Sequence, residues 1–597
     1  MKKRFLAILT AAMLLMTCAA LGEAAPAGVS GDFTGTAQGF GGEVSVTVTL
    51  TDGAITAVTA EGAGETEGVG SKAIELMPAD MSESGSIAVD TVAGATITSG
   101  AILEAVKAAL TAAGVDPEAY NVAVDKGAIQ DLVRSCDVVI VGAGGAGMTA
   151  AITAADAGKN VVIVESQAMV GGNSVRATGG MNASKTVWQD ENTFAEEAGV
   201  EKTLASAAET YADDEIVTAL AQTVSEQWKA YQENPEGYFD SVELMELDTI
   251  GAELHDVASF GGASVKRIHR PVDAEGKTIS VGSYIVPVLE KACEERGIEI
   301  LFNTTATALR QDENGNVTGV EGVTKDGANV IVEAKAVVLA TGGFGANLEM
   351  VASYKPELEG FMTTNAAGAQ GQGIAMAQAV GAATVDMDQI QIHPTVQFDT
   401  AALITEGLRG DGAILVNAEG KRFTDEVGTR DVVSAAEIAQ TGSYSWLVVD
   451  QAMVDASSVI AGYITKGLTV TGEDYAALAE AMGVDAEAFT ATMEAWNACV
   501  ESKTDEEFGR TSFANPLNTA PYYAIKVTAG IHHTMGGLKI NTATEVLNEA
   551  GEAIPGLFAA GEVTGGVHGA NRLGGNAVAD FIVFGRIAGA SAAEYAQ

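Results

Sequence analysis

The 597-residue sequence predicts an α/β protein in which a Rossmann-like domain is interrupted by an α+β insertion and preceded by a small α+β domain. Three observations predict it. CDVVIVGAGGAGMTAAITAADAGKNVVIVES reads as a buried strand, a glycine turn, an Ala-rich helix and a second strand. AVVLATGGFGAN (336–347) and GLFAAGEVTGGVHGANRLGGNAVADFIVFGR (556–586) repeat the strand-into-glycine pattern far downstream, as one domain split by an insertion would. Ahead of them, EVSVTVTL (43–50), Asp52-Gly53 and AITAVTA (54–60) read as a hairpin.

Taken in chain order, MKKRFLAILTAAMLLMTCAALGEAAPAG has basic residues before a short apolar run, the pattern of a secretory signal over residues 1–25. Leu15-Met16-Thr17-Cys18 resembles a bacterial lipoprotein box, and lipidation of Cys18 or ordinary cleavage nearby are both open. Either implies an extracytoplasmic location, secreted or membrane-anchored. Residues 31–115 form the small domain, where DTVAGATITSG (90–100) precedes a helix expected over 101–114, with Ser99 a candidate N-cap. A linker is expected over 116–134. The Rossmann-like domain follows over 135–387 and 533–597, with the insertion at 388–532.

The βαβ unit carries its own chemistry. Gly142, Gly144 and Gly147 open the helix, where backbone amides can hold a pyrophosphate, and Glu165 ends the second strand, placed for ribose hydroxyls. A formal charge of −46 argues against nucleic acid or an anionic membrane surface as a partner. It leaves an anionic substrate open, because charges beyond the ~8–10 Å Debye length are screened from a local basic cluster. Cys136, Cys293 and Cys499 form neither a disulfide framework nor a metal-ligand set, and no CxxCH motif for c-type haem occurs.

The motifs VGAGGAGMTAA, GGNSVRATGGMNAS, GGASVKRIHRP, QIHPT, LITEGLRGDGAILVN, GTRD, GIHHTMGG and GEVTGGVHGANRLGGN span residues 141–576. Through them the sequence resembles the soluble fumarate reductase flavoprotein family, the flavocytochrome c-like branch that includes urocanate reductase. The resemblance implies non-covalent FAD in the Rossmann-like domain, with Asn173, Gly342 and Glu562 joining the glycines and Glu165 around it, and a mobile clamp formed by the insertion. It implies reduction of a C=C bond conjugated to a carboxylate. Such a reaction needs a hydride from the flavin, donors for the substrate carboxylates and an acid for the second carbon.

By the same resemblance, His393, Thr405, His533 and Arg572 surround the carboxylates, Arg430 is the proton donor, and Glu406 with Arg409 forms its relay. Surface charge or a structural ion pair is the alternative for the arginines. Leu403 stands where fumarate-reducing relatives often have Met, a tolerable exchange of similar volume. The QIHPT form around His393 favours fumarate or a similar small enoate over an imidazole-bearing one. Urocanate, methacrylate and cinnamate-like acids remain alternatives, as does a flavin electron carrier without catalysis. The small domain resembles FMN-binding domains in which a flavin transferase joins FMN to a threonine. Asp90, Gly94, Ala95 and Thr96 fit that pattern, with Thr96 as the phosphoester acceptor and Ala93 departing from it; Thr98 and Ser99 are alternative hydroxyls. Electrons would then enter through FMN from a quinol-linked or extracellular donor.

Overall fold

In the computed structural model, residues 28–65, 69–92, 95–123, 129–183, 254, 256–258 and 268–597 are described. The signal segment with Cys18, and Ala93, Gly94 and His255, lie outside them. The chain divides into two compact units, one running to Thr66 and from Gly70 to Gly127, the other comprising residues 67–69 and Ala128–Gln597.

The first unit is an antiparallel sheet of β1 (Gly31–Gln38), β2 (Glu43–Thr51) and β3 (Ala54–Glu61), covered by helices α1 (Gly70–Ser84) and α2 (Thr96–Ala112). β2 alternates because one face is dry: Val44, Val46, Val48 and Leu50 are buried. The expected hairpin is present, its turn made by Asp52 and Gly53, both at positive φ. The helix begins five residues earlier than the pattern at 101 suggests, at Thr96 with Ala95 as N-cap. Ser99 is therefore not the cap: its buried hydroxyl accepts from the Val92 N–H at 3.1 Å, inside the first turn. The segment expected as a linker is structured at both ends. Tyr120 is buried and donates to the Gly53 carbonyl at 2.7 Å in the first unit, and Leu132–Ser135 is a strand of the second, parallel to Val330–Glu333.

The second unit is built on a six-stranded sheet. In chain order its strands are β4 (Val138–Val141), β5 (Val161–Val164), β6 (Glu299–Leu301) and β7 (Ala336–Leu339), joined later by β12 and β13. Between β4 and β5 lies helix α3 (Gly145–Asp156). β4, β5 and β7 read VVIV, VVIV and AVVL and are buried throughout, the continuous apolar runs of parallel strands covered on both faces. The inserted segment contributes β8 (Ile390–Gln397), β9 (Ile414–Val416), helix α4 (Arg430–Ile438), β10 (Ser445–Asp450) and β11 (Tyr522–Thr534), with antiparallel sheet order β8-β11-β10-β9. The chain then returns through β12 (Glu545–Leu547), β13 (Ala553–Ala559) and helix α5 (Asn576–Tyr595), which packs on α3. The main sheet order is β6-β5-β4-β7-β13-β12.

Two hydrophobic cores follow from this arrangement. One lies around the parallel sheet; the other is formed by Leu415, Leu447, Phe489, Trp496 and Ile525 in the inserted segment. β11 passes from one to the other, with Ile525 and Val527 in the second core and Ile531 in the first. Its last residues, His532 to Thr534, are thereby fixed at the junction.

Candidate active site

A single cleft in the second unit joins the nucleotide motif to the junction. Its lining runs from Gly142, Gly144 and Glu165 past Asn173 and Gly342 to His393, Thr405, Glu406, Arg430, His532, His533, Glu562 and Arg572. Gly147 does not line it, and its role is packing. A Cβ there would strike the Gly142 carbonyl, so only glycine lets α3 start this close to β4. Gly142 itself sits at φ +105°, and a Cβ on it would strike the Ala340 carbonyl.

The nucleotide end fits a dinucleotide. Gly144, the N-cap of α3, has no side chain to cap the helix; the Gly145 N–H donates to Ser174 Oγ at 3.0 Å, and the amides that follow fit a pyrophosphate. Glu165 is buried, and its carboxylate accepts from the Ala143 and Gln167 N–H groups, each at 2.7 Å, at the end of β5. Burial pushes its carboxyl up and those amides oppose the shift. Asn173 and Glu562 act as a brace. Asn173 donates to Asn365 at 2.6 Å and to Glu562 at 3.1 Å, and Glu562 accepts from the Thr534 N–H at 3.0 Å. That pins the end of β11, where His533 Nδ1 lies 3.7 Å from the Glu562 carboxylate.

At the far end, all seven residues expected around a substrate are buried and all but Arg409 line the cleft. His393 comes from β8, Arg430 is the first residue of α4, and Thr405 to Arg409 form a turn into the short helix Gly407–Gly410. Arg572 lies between β13 and α5. Glu406 is held between two guanidiniums: Arg409 donates to Oε1 at 3.0 Å, and Arg430 to Oε2 at 2.6 and 3.1 Å. Burial alone would raise the Glu406 carboxyl, but Arg430 and Arg409 outweigh it and keep it below the usual range.

Arg572 differs from its neighbours. It has no ion-pair partner among the described residues, and its buried Nε has no hydrogen bond. Burial, reinforced by Arg430, pulls its guanidinium down to about 9. Burial and the adjacent arginines also hold His393, His532 and His533 well below the ordinary imidazole value, so all three are neutral. The Thr395 N–H donates to His393 Nδ1 at 3.2 Å, which leaves Nε2 as the protonated nitrogen of that ring.

Sequence reasoning missed several members of the site. Gln391, the first residue of QIHPT, accepts from Arg430 at 2.8 Å and donates to Asn571 Oδ1 and the Arg572 carbonyl, tying the two arginines together. His532, next to His533 in GIHHTMGG, lies with its ring 4.9 Å from that of His393. Both sit inside motifs already singled out. Arg422, Glu426 and Arg510 had no such signal. Glu426 is fully buried, takes hydrogen bonds from Arg422 and Arg510, and offers its carbonyl to Arg409 at 2.6 Å.

In the first unit, Thr96 is exposed whereas Thr98 and Ser99 are buried. Thr98 donates to Glu65 at 2.5 Å, and Ser99 is engaged with Val92. The first turn of α2 has no side-chain cap, so its amides fit a phosphate attached beside them.

The comparisons agree with this geometry. The FAD binding domain family matches residues 137–578, and the FMN-binding domain family matches residues 39–111. An NADH:fumarate oxidoreductase of Klebsiella pneumoniae is 41% identical over 85% of this chain, which spans 52% of that protein's length. A fumarate reductase (cytochrome) of Shewanella frigidimarina is 42% identical over 81% of this chain and 82% of its own length. The urocanate reductase of Eggerthella lenta is 35% identical over 99% of this chain and 98% of its own. Among solved structures, the open conformation of a flavocytochrome c3 fumarate reductase superposes with a TM-score of 0.60 at 39% identity, covering 78% of this chain and 79% of that one. The chain thus belongs to the family of FAD-dependent oxidoreductases acting on C=C bonds that includes the fumarate and urocanate reductases, here with an FMN-binding domain at its N-terminal side.

Proposed function

We propose that this protein reduces the C=C bond of fumarate or a similar small unsaturated carboxylate outside the cytoplasm, receiving electrons through FMN esterified to Thr96. The observation that carries the substrate class is Arg572: a buried guanidinium beside Arg430, with no carboxylate at ion-pair distance among the described residues, calls for an anion from outside. Arg572, His393 Nε2–H, His533 and Thr405 converge on the cleft as donors for carboxylate oxygens. Leu403 supplies an apolar wall in the same cleft. FAD, when bound along it, supplies the hydride.

Arg430 gives the second carbon its proton. A guanidinium ordinarily holds its proton to above pH ~12, so it serves as an acid only toward a strongly basic carbon and only if promptly refilled. Glu406, bonded to both Arg430 and Arg409, is built for that refilling. Arg409 faces one carboxylate oxygen and Arg430 the other, so a proton received from Arg409 reaches Arg430 when the carboxyl group turns to present it.

The exposed Thr96 hydroxyl and the uncapped turn behind it support the ester assignment. A basic, apolar N-terminal segment supports export. The test is anaerobic turnover by flavin-loaded protein with reduced viologen, using fumarate, urocanate, methacrylate, acrylate and cinnamate. Rapid oxidation by fumarate alone is expected. Turnover of another acid alone overturns the substrate and keeps the residue roles; no turnover despite normal flavin reduction overturns the enzymatic reading.

A further inference from the structure

Arg409 stands in a weak piece of structure. It belongs to the helix Gly407–Gly410, a single turn with glycine at both ends, too short and too glycine-rich to hold a side chain in place unaided. Its guanidinium is nevertheless aimed. It is 1% exposed and donates to Glu406 Oε1 at 3.0 Å and to the Glu426 carbonyl at 2.6 Å. The support comes from far downstream. Arg510, also 1% exposed, donates through Nη2 to the Arg409 carbonyl at 2.7 Å. Its Nη1 donates to the Ala413 carbonyl at 3.0 Å and to Glu426 Oε2 at 2.9 Å, and its Nε to the Ser512 carbonyl at 2.9 Å. These bonds close a circuit. Arg510 holds the main chain of Arg409 and the side chain of Glu426, and the main chain of Glu426 holds the side chain of Arg409.

We propose that Arg510 and Glu426 are positioning residues, a buried buckle that fixes Arg409 against Glu406. The inference rests on the reading of Arg430, Glu406 and Arg409 as the proton path. Arg510 is itself held, its guanidinium 4.4 Å from the centre of the fully buried Trp496 ring, with Arg422 4.8 Å from the same ring. Glu426 is held too, accepting from Arg422 at 2.7 Å on one carboxylate oxygen and 2.8 Å on the other. Beyond it, Asp505 accepts from Arg422 at 2.9 Å. Two cations thus meet two carboxylates, and the surrounding network is neutral without Arg409.

That neutrality matters for Arg409. A second carboxylate on its guanidinium would strengthen its hold on the proton it must give up. The Glu426 carbonyl fixes the guanidinium plane without adding that charge. Burial pulls the Arg409 guanidinium below its ordinary value; Glu406 and Glu437 oppose the shift, and Arg430 and Arg510 add to it. The buckle therefore aims Arg409 without locking its proton. Neither Arg510 nor Glu426 lines the cleft, so substrate affinity is independent of them.

The experiment compares the flavin-loaded wild type with Arg510→Lys, Glu426→Gln and Asp505→Asn, each by melting temperature, steady-state kinetics and crystal structure. Arg510→Lys keeps the charge and loses the fork that spans three carbonyls and a carboxylate. Glu426→Gln breaks the circuit from the other side. Asp505→Asn disturbs the same buried network at the end away from Arg409. All three are expected to melt at lower temperature. Only the first two are expected to lower kcat, by about ten- to a hundredfold with KM changed less than about twofold. The same two are expected to raise the solvent deuterium isotope effect and to show Arg409 moved off Glu406. Wild-type kcat in a folded Arg510→Lys or Glu426→Gln would overturn the inference. An equal loss of kcat in Asp505→Asn would also overturn it, by reducing the buckle to general stability. If the wild type reduces no enoate, the function falls first; the buckle then stands if Arg409 leaves Glu406 in the variant crystals and falls if it stays.

Discussion

Arg430 is held by hydrogen bonds to Glu406 and Gln391, so its head group is fixed before any substrate arrives. Such preorganisation makes it hard to replace. Arg430→Ala is expected to fold and retain FAD, read by the flavin spectrum, while losing at least about a thousandfold in turnover. In the proposed reaction Arg572 is the anion's counter-charge, and Arg572→Lys keeps a cation but loses the planar fork. That variant should raise KM for a dicarboxylate roughly ten- to a hundredfold, with a smaller effect on kcat, in steady-state assays. Glu437 makes a stability prediction. The fold raises its carboxyl from 4.5 to about 8, so between those values the native state keeps a proton that the unfolded chain releases. Stability contributed by this group therefore falls as pH rises from about 4.5 to about 8, and a melting series should show that slope flattened in Glu437→Gln. At this scale the sequence was most readable where residues sat in dense motifs, as with His393 and Arg572. It was silent on Glu426 and Arg510, whose charges are indistinguishable from surface charges until the fold buries them.

Elements were legible where their period was forced by two-sided burial. β4, β5 and β7 are short apolar runs of the kind that only a covered parallel sheet explains. The start of α2 was misread because Thr96, Ile97 and Thr98 lack helical patterning; Glu65, distant in the chain, and Val92, just upstream, engage the Thr98 and Ser99 hydroxyls that would otherwise compete with the helix. The same contacts single out Thr96. In the proposed ester linkage Thr96 is the acceptor, because Thr98 and Ser99 are buried and bonded whereas Thr96 is exposed at the first helical position. Thr96→Val should leave FAD content unchanged and abolish the FMN mass on its peptide by mass spectrometry. An adduct persisting on Thr98 would contradict the placement.

On the scale of the molecule, the formal charge of −46 and the basic pocket pull in opposite directions. At ~0.01 M salt the Debye length is about 30 Å, and a dicarboxylate feels the repulsion of the whole surface; at ~0.15 M it is about 8 Å, and only the nearby cluster counts. The expected outcome is a kcat/KM for fumarate that rises between these concentrations, measured by viologen oxidation; a steady fall would place the dominant field in the pocket. The return of the chain to the central sheet after a long intervening segment was visible in the sequence because glycine-turn strands recur far apart, but the passage of β11 between two cores was not, since its run of apolar residues looks uniform. The order of the central sheet has a bearing on synthesis. β4 pairs with β7 and β7 with β13, while α5 covers α3, so the nucleotide cleft is assembled from both the early and the late parts of the chain. A ribosome must deliver Phe581 before the cleft has all its walls. Cofactor uptake consequently waits for both ends of the lining, wherever the polypeptide is when it folds.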